Sequence, residues 1–359
     1  MLGELPFLDW IAAEPRFKMT RAPFDPANVL TFSDALRFAR VYLPRAEADL
    51  KEGYEGAVFG DFAPTVIPRT TLNWFQSAVY EGMGLALIEF ANWGGYNRIT
   101  EWMVISFYDV FPADVYLNVF PAAAGRAFYV VQNPNGPLGL PGIEAVPMNA
   151  GYHGDLGARL GSTVEAIWKG RRTPAMVTST YGEGHTLQLD QGWDNIPGAT
   201  VSGYQYLPEF IYNQLYYIAG ISYPEDLQLV HVTRGSLIAY HNRKQGTLAV
   251  VDFVEKFGAN PAKIYERIEQ MDARYGNATE IYLEGEYEEA GDILYGLLEE
   301  FTEVEDDLME IRDRAFLWIY FIEWSSVTAA GAFCGVALWS LMIRRRLYRY
   351  VGTTRPDKV

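Results

Sequence analysis

An uncharged segment near the C-terminus limits what this chain can fold into more than any other feature. Trp324–Ile343 is a run of twenty residues without a charged side chain, and Arg344, Arg345 and Arg346 follow it directly. About 20 apolar residues in a helix span the hydrocarbon core of a bilayer, which is ~30 Å thick. The alternative is a buried helix of a soluble protein, which rarely combines this length and lack of charge with a basic end. The sequence therefore predicts a folded head, residues 1–315, joined to one C-terminal membrane helix.

The charge of the head restricts its partners. From residue 316 onward the chain holds six basic and two acidic residues, whereas the head holds 23 basic and 43 acidic residues. A head this acidic repels nucleic acid and anionic lipid head groups. We therefore expect no nucleic-acid partner. The predicted membrane helix makes the lipid bilayer and other membrane proteins the expected partners.

The same charges predict an orientation in the membrane. Arg344, Arg345, Arg346 and Arg349 follow the span, and the turns before it are rich in carboxylates. The positive-inside rule then predicts a single-pass protein of the cell membrane with an extracytoplasmic head and a cytoplasmic tail. Residues 1–25 lack the basic start and apolar core of an export signal. Two interpretations stay open: the sequence does not start at the biosynthetic start, or the protein is tail-anchored with its head inside the cell. The arginine cluster favours the head outside.

Short apolar runs alternate with helical patterns in the first two thirds of the chain. Gly56–Asp61 is predicted as a short strand ending in a turn, Thr70–Glu81 as a helix, and Gly84–Glu89 as a wholly apolar strand. A strand, a helix and an apolar strand in this order are typical of a βαβ unit in a parallel sheet. Further predicted elements are a helix capped by Ser33, a hairpin over Pro174–Asp190 and a helix over Tyr206–Ala219. The fold class is therefore α/β.

The last third of the head has a heptad pattern. Apolar residues recur at alternating spacings of four and three from Ala290 to Ala315, in a chain otherwise rich in carboxylates. We interpret this seam as one face of a helical hairpin with the helix opened by Pro261, and a coiled coil with a partner subunit is the alternative.

The predicted segments are an extended N-terminal arm at 1–27, an α/β domain at 28–222, a strand-rich extension at 223–259, an acidic helical hairpin or stalk at 260–315, a transmembrane helix at 316–343 and a basic cytoplasmic tail at 344–359.

Within the span, Gly331 and Gly335 form a GxxxG motif flanked by alanines. Small residues at this spacing allow a second helix to approach closely. The motif predicts helix packing in the membrane with another subunit, or in a homo-oligomer with a second copy of this chain.

Three stretches of the head resemble the class I glutamine amidotransferase-like superfamily: Val58–Asp61, Val79–Ile88 and Tyr181–His185. The C-terminal part, from Asp252–Asn260 through Arg314–Tyr320 to the arginine-rich tail, is similar to uncharacterised membrane-anchored members. The resemblance covers roughly residues 28–355. It implies that the domain at 28–222 is an amidotransferase-like head with a flavodoxin-like parallel sheet.

The residues needed for amidotransferase chemistry are missing. A glutaminase requires a thiolate on the sharp turn after the glycine-led strand. The turn after Glu89 contains no Cys or Ser between Ala91 and Gly95, and Cys334, the one cysteine of the chain, lies in the span. The four histidines form no metal-binding motif. We therefore predict no catalytic residue, no metal and no cofactor.

Three hypotheses about function follow from these patterns. The first is a non-catalytic membrane subunit whose degenerate head and stalk serve as a structural, protein-interaction module in a larger assembly. The second is an extracytoplasmic receptor for a small ligand or glycan, with Glu89, Asn92 and Trp93 as binding residues, because α/β sheets bind ligands at their carboxyl ends. Trp93 filling the emptied pocket is the alternative for that residue. The third and most remote is a hydrolase that uses carboxylates.

Overall fold

The computed structural model describes residues 6–20, 32–60, 67–88, 103–115, 120–121, 127–148, 152–153, 156–193, 204–256 and 258–351. The chain divides into two compact units, an α/β unit (Met1–His231) and a helical unit (Val232–Val359).

The α/β unit alternates helices with short strands. Its helices are α1 (Pro6–Ala13), α2 (Phe32–Tyr42), α3 (Glu47–Gly53), α4 (Arg69–Tyr80) and α5 (Leu207–Ile218), with short 3₁₀ helices at Ser106–Val110 and Ile143–Ala145. Its strands are β1 (Gly56–Phe59), β2 (Gly84–Ile88), β3 (Ala113–Val115), β4 (Phe120–Pro121), β5 (Tyr129–Val131), β6 (Tyr152–His153), β7 (Leu156–Ala158), β8 (Thr163–Trp168), β9 (Pro174–Tyr181) and β10 (Gly184–Leu189). The helices and strands predicted between residues 56 and 89, the hairpin and the helix that starts near Tyr206 all occur.

Among the described residues, six strands form one mixed sheet in the order β1-β2-β10-β9-β8-β5. β1, β2 and β10 are parallel to one another, and the other neighbouring pairs are antiparallel. The prediction of a parallel sheet is therefore right for three strands and wrong for β5, β8 and β9. Only Gly182 and Glu183 separate β9 from β10, and a parallel connection needs a crossover of a dozen or more residues.

Both faces of this sheet are covered. β2 is fully buried because its side chains alternate between two cores. Leu85 and Leu87 pack in a core with residues of α4, and Ala86 and Ile88 pack in a core with residues of α5. The wholly apolar sequence of β2, which predicted a strand of a parallel sheet, follows from this double coverage.

The contacts of two glycines show in which direction α5 runs along the sheet. A Cβ on Gly84 would overlap the backbone oxygen of Ile218, and a Cβ on Gly56 would lie 3.4 Å from Cδ1 of Ile218. Both glycines start parallel strands, so the C-terminal end of α5 lies at the amino ends of β1 and β2. The N-terminal end of α5 therefore points toward the carboxyl ends of the parallel strands.

The N-terminal segment differs from the predicted extended arm at 1–27, because Pro6–Ala13 is helical. Proline suits the first turn of a helix, since it lacks only an N–H that has no partner there. Ile11 is buried in the α5-side core, and the Tyr212 hydroxyl donates a hydrogen bond of 2.7 Å to the Trp10 carbonyl. These contacts hold the segment against α5 as a helix.

The predicted strand-rich extension at 223–259 is wrong, because Leu227–Glu255 is a single helix, α6. The boundary between the two units falls within it, after His231. Apart from Arg234, its buried residues recur three, four or seven positions apart: Val230, Thr233, Leu237, Tyr240, Thr247, Val251 and Val254. The two buried threonines interrupt the apolar pattern of the helix, and the run Leu248–Val251 taken alone is typical of a strand.

Two more helices complete the helical unit, α7 (Ala262–Glu284) and α8 (Tyr287–Val351). Gly285, with a φ of 96°, ends α7, and the Glu286 N–H donates to the Ile281 carbonyl in a glycine cap. Most of the heptad seam on α8 is buried inside the chain: Ala290, Leu294, Leu297, Phe301, Val304, Leu308 and Ala315. The seam packs on α7, and the Phe301 ring also contacts Tyr240 of α6 at 5.1 Å.

Candidate functional site

The environment of α8 changes abruptly along its length. Ala315, the last residue of the seam, is 7 % exposed, and the next residue, Phe316, is 38 % exposed. All residues from Tyr320 to Tyr348 are exposed. Among the described residues, α8 is the one helix that is long and apolar enough to cross a membrane, and its most apolar stretch is not buried at all.

Aromatic side chains lie near both ends of this exposed segment. Trp318 and Phe321 precede the uncharged run and Trp324 begins it, and the Trp318 and Phe321 rings stack with centroids 5.4 Å apart. Trp339 and Tyr348 lie near the other end. Tryptophan and tyrosine at both ends of an apolar helix are typical of membrane interfaces.

Two glycines leave open space on one face of the segment. A Cβ added to Gly331 or to Gly335 would meet no atom within 4 Å. The two glycines are four residues apart and therefore lie on the same face. The surface that the GxxxG motif predicts is present and exposed.

The arginines that follow the span continue the same helix. Arg344, Arg345 and Arg346 are exposed, and Arg349 lies one turn further along α8. Before the span, Arg312 and Arg314 of α8 form ion pairs with Asp313 and Glu310 at 2.9 and 2.5 Å.

The predicted ligand residues follow β2 in the sequence. Glu89, Asn92 and Trp93 lie outside the described residues. The last residue of β2, Ile88, pairs with Leu189 of β10, so both parallel strands end at the same edge. Asp190 and Gln191 follow Leu189 directly at this edge.

A buried polar group that the sequence did not predict lies at this carboxyl edge. We call Tyr129, Trp168, Asp190 and Gln191 the carboxyl-edge cluster. The indole N–H of Trp168, at the end of β8, donates to Oδ2 of Asp190 at 2.6 Å. The Tyr129 ring packs on the Trp168 indole with centroids 4.8 Å apart. Burial, and after it the Asp190 carboxylate, raise the pKa of Tyr129 well above its ordinary value, so its hydroxyl remains a donor.

Two members of this cluster, Tyr129 and Gln191, have polar atoms without a partner among the described residues. In the part of the chain that the structure describes, the Tyr129 hydroxyl and both side-chain polar atoms of Gln191 are buried without a hydrogen bond. Buried groups of this kind are uncommon, and each costs about 1–3 kcal/mol. Open α/β sheets bind ligands at this edge. The cluster therefore has the chemistry to hold a polar ligand.

A carboxylate–histidine pair lies at the N-terminal end of α5. Oε1 of the buried Glu209 lies 2.9 Å from Nδ1 of His231, which is partly exposed on the first turns of α6. The Tyr206 ring meets the imidazole edge to face at 5.3 Å. A carboxylate at Nδ1 orients the ring and leaves Nε2 for another partner. No sequence pattern indicates this pair, because its residues are 22 positions apart and the segment of α6 is predicted as strands.

A second buried carboxyl group lies within the antiparallel half of the sheet. Glu165 of β8 accepts hydrogen bonds from Oγ1 of Thr178 at 2.5 Å and from Nδ2 of Asn133 at 3.0 Å. Burial raises the pKa of Glu165, and these two hydrogen bonds oppose that rise. A Cβ on Gly136 would overlap Oε2 of Glu165. The carboxyl group therefore ties the loop after β5 to the sheet.

The described residues contain no candidate metal site. Within the described ranges, no group of three or more His, Cys, Asp or Glu side chains is placed to hold a metal ion. Cys334 is exposed on α8.

Comparisons with known proteins bring only weak similarity. The chain matches no protein-family model and no curated protein. Among solved structures it is similar to the cytoplasmic protein STM3548 from Salmonella typhimurium, with a TM-score of 0.42 and 16 % identity over 53 % of this chain and 87 % of that one. It is also similar to the cytoplasmic protein STM1381 from Salmonella typhimurium LT2, with a TM-score of 0.44 and 19 % identity over 58 % and 86 %. A beta-galactosidase from Bacillus circulans sp. alkalophilus matches at a TM-score of 0.30 and 15 % identity, over 47 % of this chain and 23 % of the enzyme. Similarities at these TM-scores support no argument about function.

Proposed function

We propose that this protein is a non-catalytic, single-pass membrane subunit. Its α/β unit is a degenerate, flavodoxin-like domain of the class I glutamine amidotransferase-like type. That unit and the helical stalk act as a protein-interaction module in a larger membrane assembly. The observation that carries the proposal is the change along α8 from a buried seam to a fully exposed apolar segment.

The exposed segment is costly in water. Its large exposed side chains include Leu317, Trp318, Phe321, Trp324, Phe333, Leu338, Trp339 and Leu341. Apolar surface costs roughly 25 cal/mol per Å² in water, and large contiguous patches mark membrane or protein contacts. From Phe316 to Ile343 the helix is about 42 Å long at 1.5 Å per residue, which exceeds the ~30 Å core of a bilayer. A bilayer is the environment that suits this surface.

The non-catalytic part of the proposal rests on residue type. The chain has one cysteine, and that residue is in the span, so the α/β unit offers no thiol for the amidotransferase reaction. The parallel strands β1, β2 and β10 with helices on both faces are compatible with a flavodoxin-like origin. Because fold alone does not imply function, the missing nucleophile favours a binding role over glutamine hydrolysis.

The orientation we propose keeps the acidic head extracytoplasmic and the basic tail in the cytoplasm. The charges on the two sides of the span support this orientation through the positive-inside rule.

The test is purification of the native protein from membranes in mild detergent, with particle mass and co-purifying subunits read together. A large particle with stoichiometric partners is expected. A monomer without partners would reject the assembly.

Two pairs of variants sharpen this experiment. Phe333→Arg sets a charge in the middle of the span and is expected to reduce membrane integration strongly, whereas Leu160→Arg, at a fully exposed position of the α/β unit, should leave it intact. Replacing both Gly331 and Gly335 by isoleucine should release the partners while the protein stays in the membrane. The control is Phe333→Ile, about 200° around the helix from Gly331.

A second candidate function is a receptor for a small polar ligand or glycan. Its specific support is the carboxyl-edge cluster, in which Gln191 and Tyr129 bury polar atoms without partners among the described residues. Ligand screens of the full-length protein against glycans and small polar molecules test it, with Gln191→Leu and Trp93→Ala as variants. Binding that both variants leave unchanged would remove this candidate.

A further inference from the structure

The arginines on the two sides of the span differ in their surroundings. Arg312 and Arg314, before the span, each have a carboxylate partner on the same helix. In the described part of the chain, no carboxylate lies within 4.0 Å of Arg344, Arg345 or Arg346, and all three are exposed. No Asp or Glu occurs anywhere from Trp324 to the last described helical residue, Val351. These arginines therefore carry charge that the helix itself does not neutralise.

The geometry of α8 limits which partner can neutralise them. Consecutive helical residues point about 100° apart, so Arg344, Arg345 and Arg346 cover some 200° of the circumference within about 3 Å along the axis. A single partner helix contacts one face and reaches only part of this ring. Lipid head groups surround a membrane helix on all sides at this depth, directly after the last uncharged residue, Ile343.

The chemistry of the side chains agrees with phosphate. A guanidinium group presents a planar fork of N–H donors that fits a phosphate with two parallel hydrogen bonds. All four basic residues in the helical stretch after the span are arginines, and none is a lysine. Nucleic acid offers the same phosphate chemistry, but these arginines begin directly after Ile343, at the depth of the lipid head groups.

We propose that Arg344, Arg345 and Arg346, together with Arg349, bind the phosphate groups of anionic phospholipids in the leaflet on the tail side of the span. This inference rests on the membrane span of the proposed function. The acidic head is repelled by an anionic surface, so the two ends of the span have opposite lipid preferences. Anionic lipid around the basic end then also opposes reversal of the helix in the bilayer.

The experiment uses the full-length protein in phosphatidylcholine vesicles with trace spin-labelled phosphatidylglycerol or spin-labelled phosphatidylcholine. The motionally restricted fraction of each label gives the relative association of the two lipids with the protein. We expect the wild type to prefer phosphatidylglycerol by on the order of fivefold at low salt, and the preference to fall as salt screens the charges.

Variants test which residues cause the preference for phosphatidylglycerol. Replacing Arg344, Arg345 and Arg346 by glutamine should bring the two lipids to equal association. Replacing Arg312 and Arg314 by glutamine removes two charges of the same helix on the other side of the span and should leave the preference unchanged. Glycerol phosphate at millimolar concentration should not compete, and loss of the preference in its presence would show a site for free phosphate and overturn the lipid assignment.

The outcome separates this inference from the proposed function. An alkaline carbonate wash of the vesicles reports whether the protein is inserted. A wild type that washes off rejects the span and the proposed function with it. A wild type that stays inserted but shows equal association, or a triple glutamine variant that keeps the preference, rejects the lipid site alone.

Discussion

The indole N–H of Trp168 donates a 2.6 Å hydrogen bond to Oδ2 of Asp190, and neither side chain is exposed to solvent. The bond joins the end of β8 to the residue that follows β10, across the intervening strand β9. It provides a strong donor to a carboxylate that would otherwise be costly to bury. The carboxyl edge of the sheet therefore depends on this contact.

Trp168→Phe tests that dependence. The phenyl ring keeps most of the packing but removes the donor, so we expect the free energy of unfolding to fall by about 1–3 kcal/mol. Tyr129→Phe is the matched control, because it removes a neighbouring buried hydroxyl that has no partner among the described residues, and it should not lower the free energy of unfolding. Thermal unfolding of both variants in mild detergent makes the comparison. A loss in Tyr129→Phe as large as the loss in Trp168→Phe would contradict the assignment of the effect to the Trp168–Asp190 hydrogen bond.

Much of the α/β unit could be predicted from local pattern. The apolar strand at Gly84–Ile88 and the hairpin at Gly182 carry their signals within a few residues. The contacts of the candidate site could not be predicted in this way, because Trp168–Asp190 and Glu209–His231 each join residues 22 positions apart on different elements. The hydrophobic pattern also does not predict helix α6, because its buried threonines count as polar residues in such a pattern.

Glu165 predicts a pH dependence of stability. Burial raises its pKa above the ordinary value of 4.5, so the folded protein holds this proton to a higher pH than the unfolded chain. Its contribution to stability is fully present below about pH 4.5 and is lost as the pH rises through the folded pKa. Glu165→Gln keeps the shape without ionising. We therefore expect the variant to become progressively more stable relative to wild type between pH 4 and pH 8, as measured by thermal unfolding in mild detergent.

Glu183→Gln controls for the loss of one carboxylate, because Glu183 is exposed in the turn of the hairpin. A stability difference between Glu165→Gln and wild type that stays constant across this pH range would contradict the assignment.

The Glu209–His231 pair predicts energetic coupling. His231→Gln weakens a hydrogen bond to a buried carboxylate and should cost about 1.5–3 kcal/mol. Because both side chains serve the same contact, the double variant with Glu209→Gln should lose less than the sum of the two single variants. A double-mutant cycle by thermal unfolding in mild detergent measures the difference. His241→Gln, at an exposed position of the same helix, is the control, and strict additivity of the Glu209 and His231 variants would refute the coupling.

The heptad seam predicts where the stability of the helical unit originates. Phe301 is fully buried and contacts Tyr240, which also donates a 2.9 Å hydrogen bond to Oδ1 of Asp272 on α7. Phe301 therefore lies where the three helices meet.

Phe301→Ala should lower the free energy of unfolding of the helical unit by about 3–5 kcal/mol, because it leaves a cavity at this meeting point. Tyr295→Ala, on the exposed side of the same helix, should cost less than about 0.5 kcal/mol. The measurement is the loss of helical circular dichroism on heating, repeated over a hundredfold range of protein concentration. Since the seam is buried inside one chain, the loss caused by Phe301→Ala should not depend on concentration. A loss that grows on dilution would instead mean that a second subunit covers the seam, as in the coiled-coil alternative.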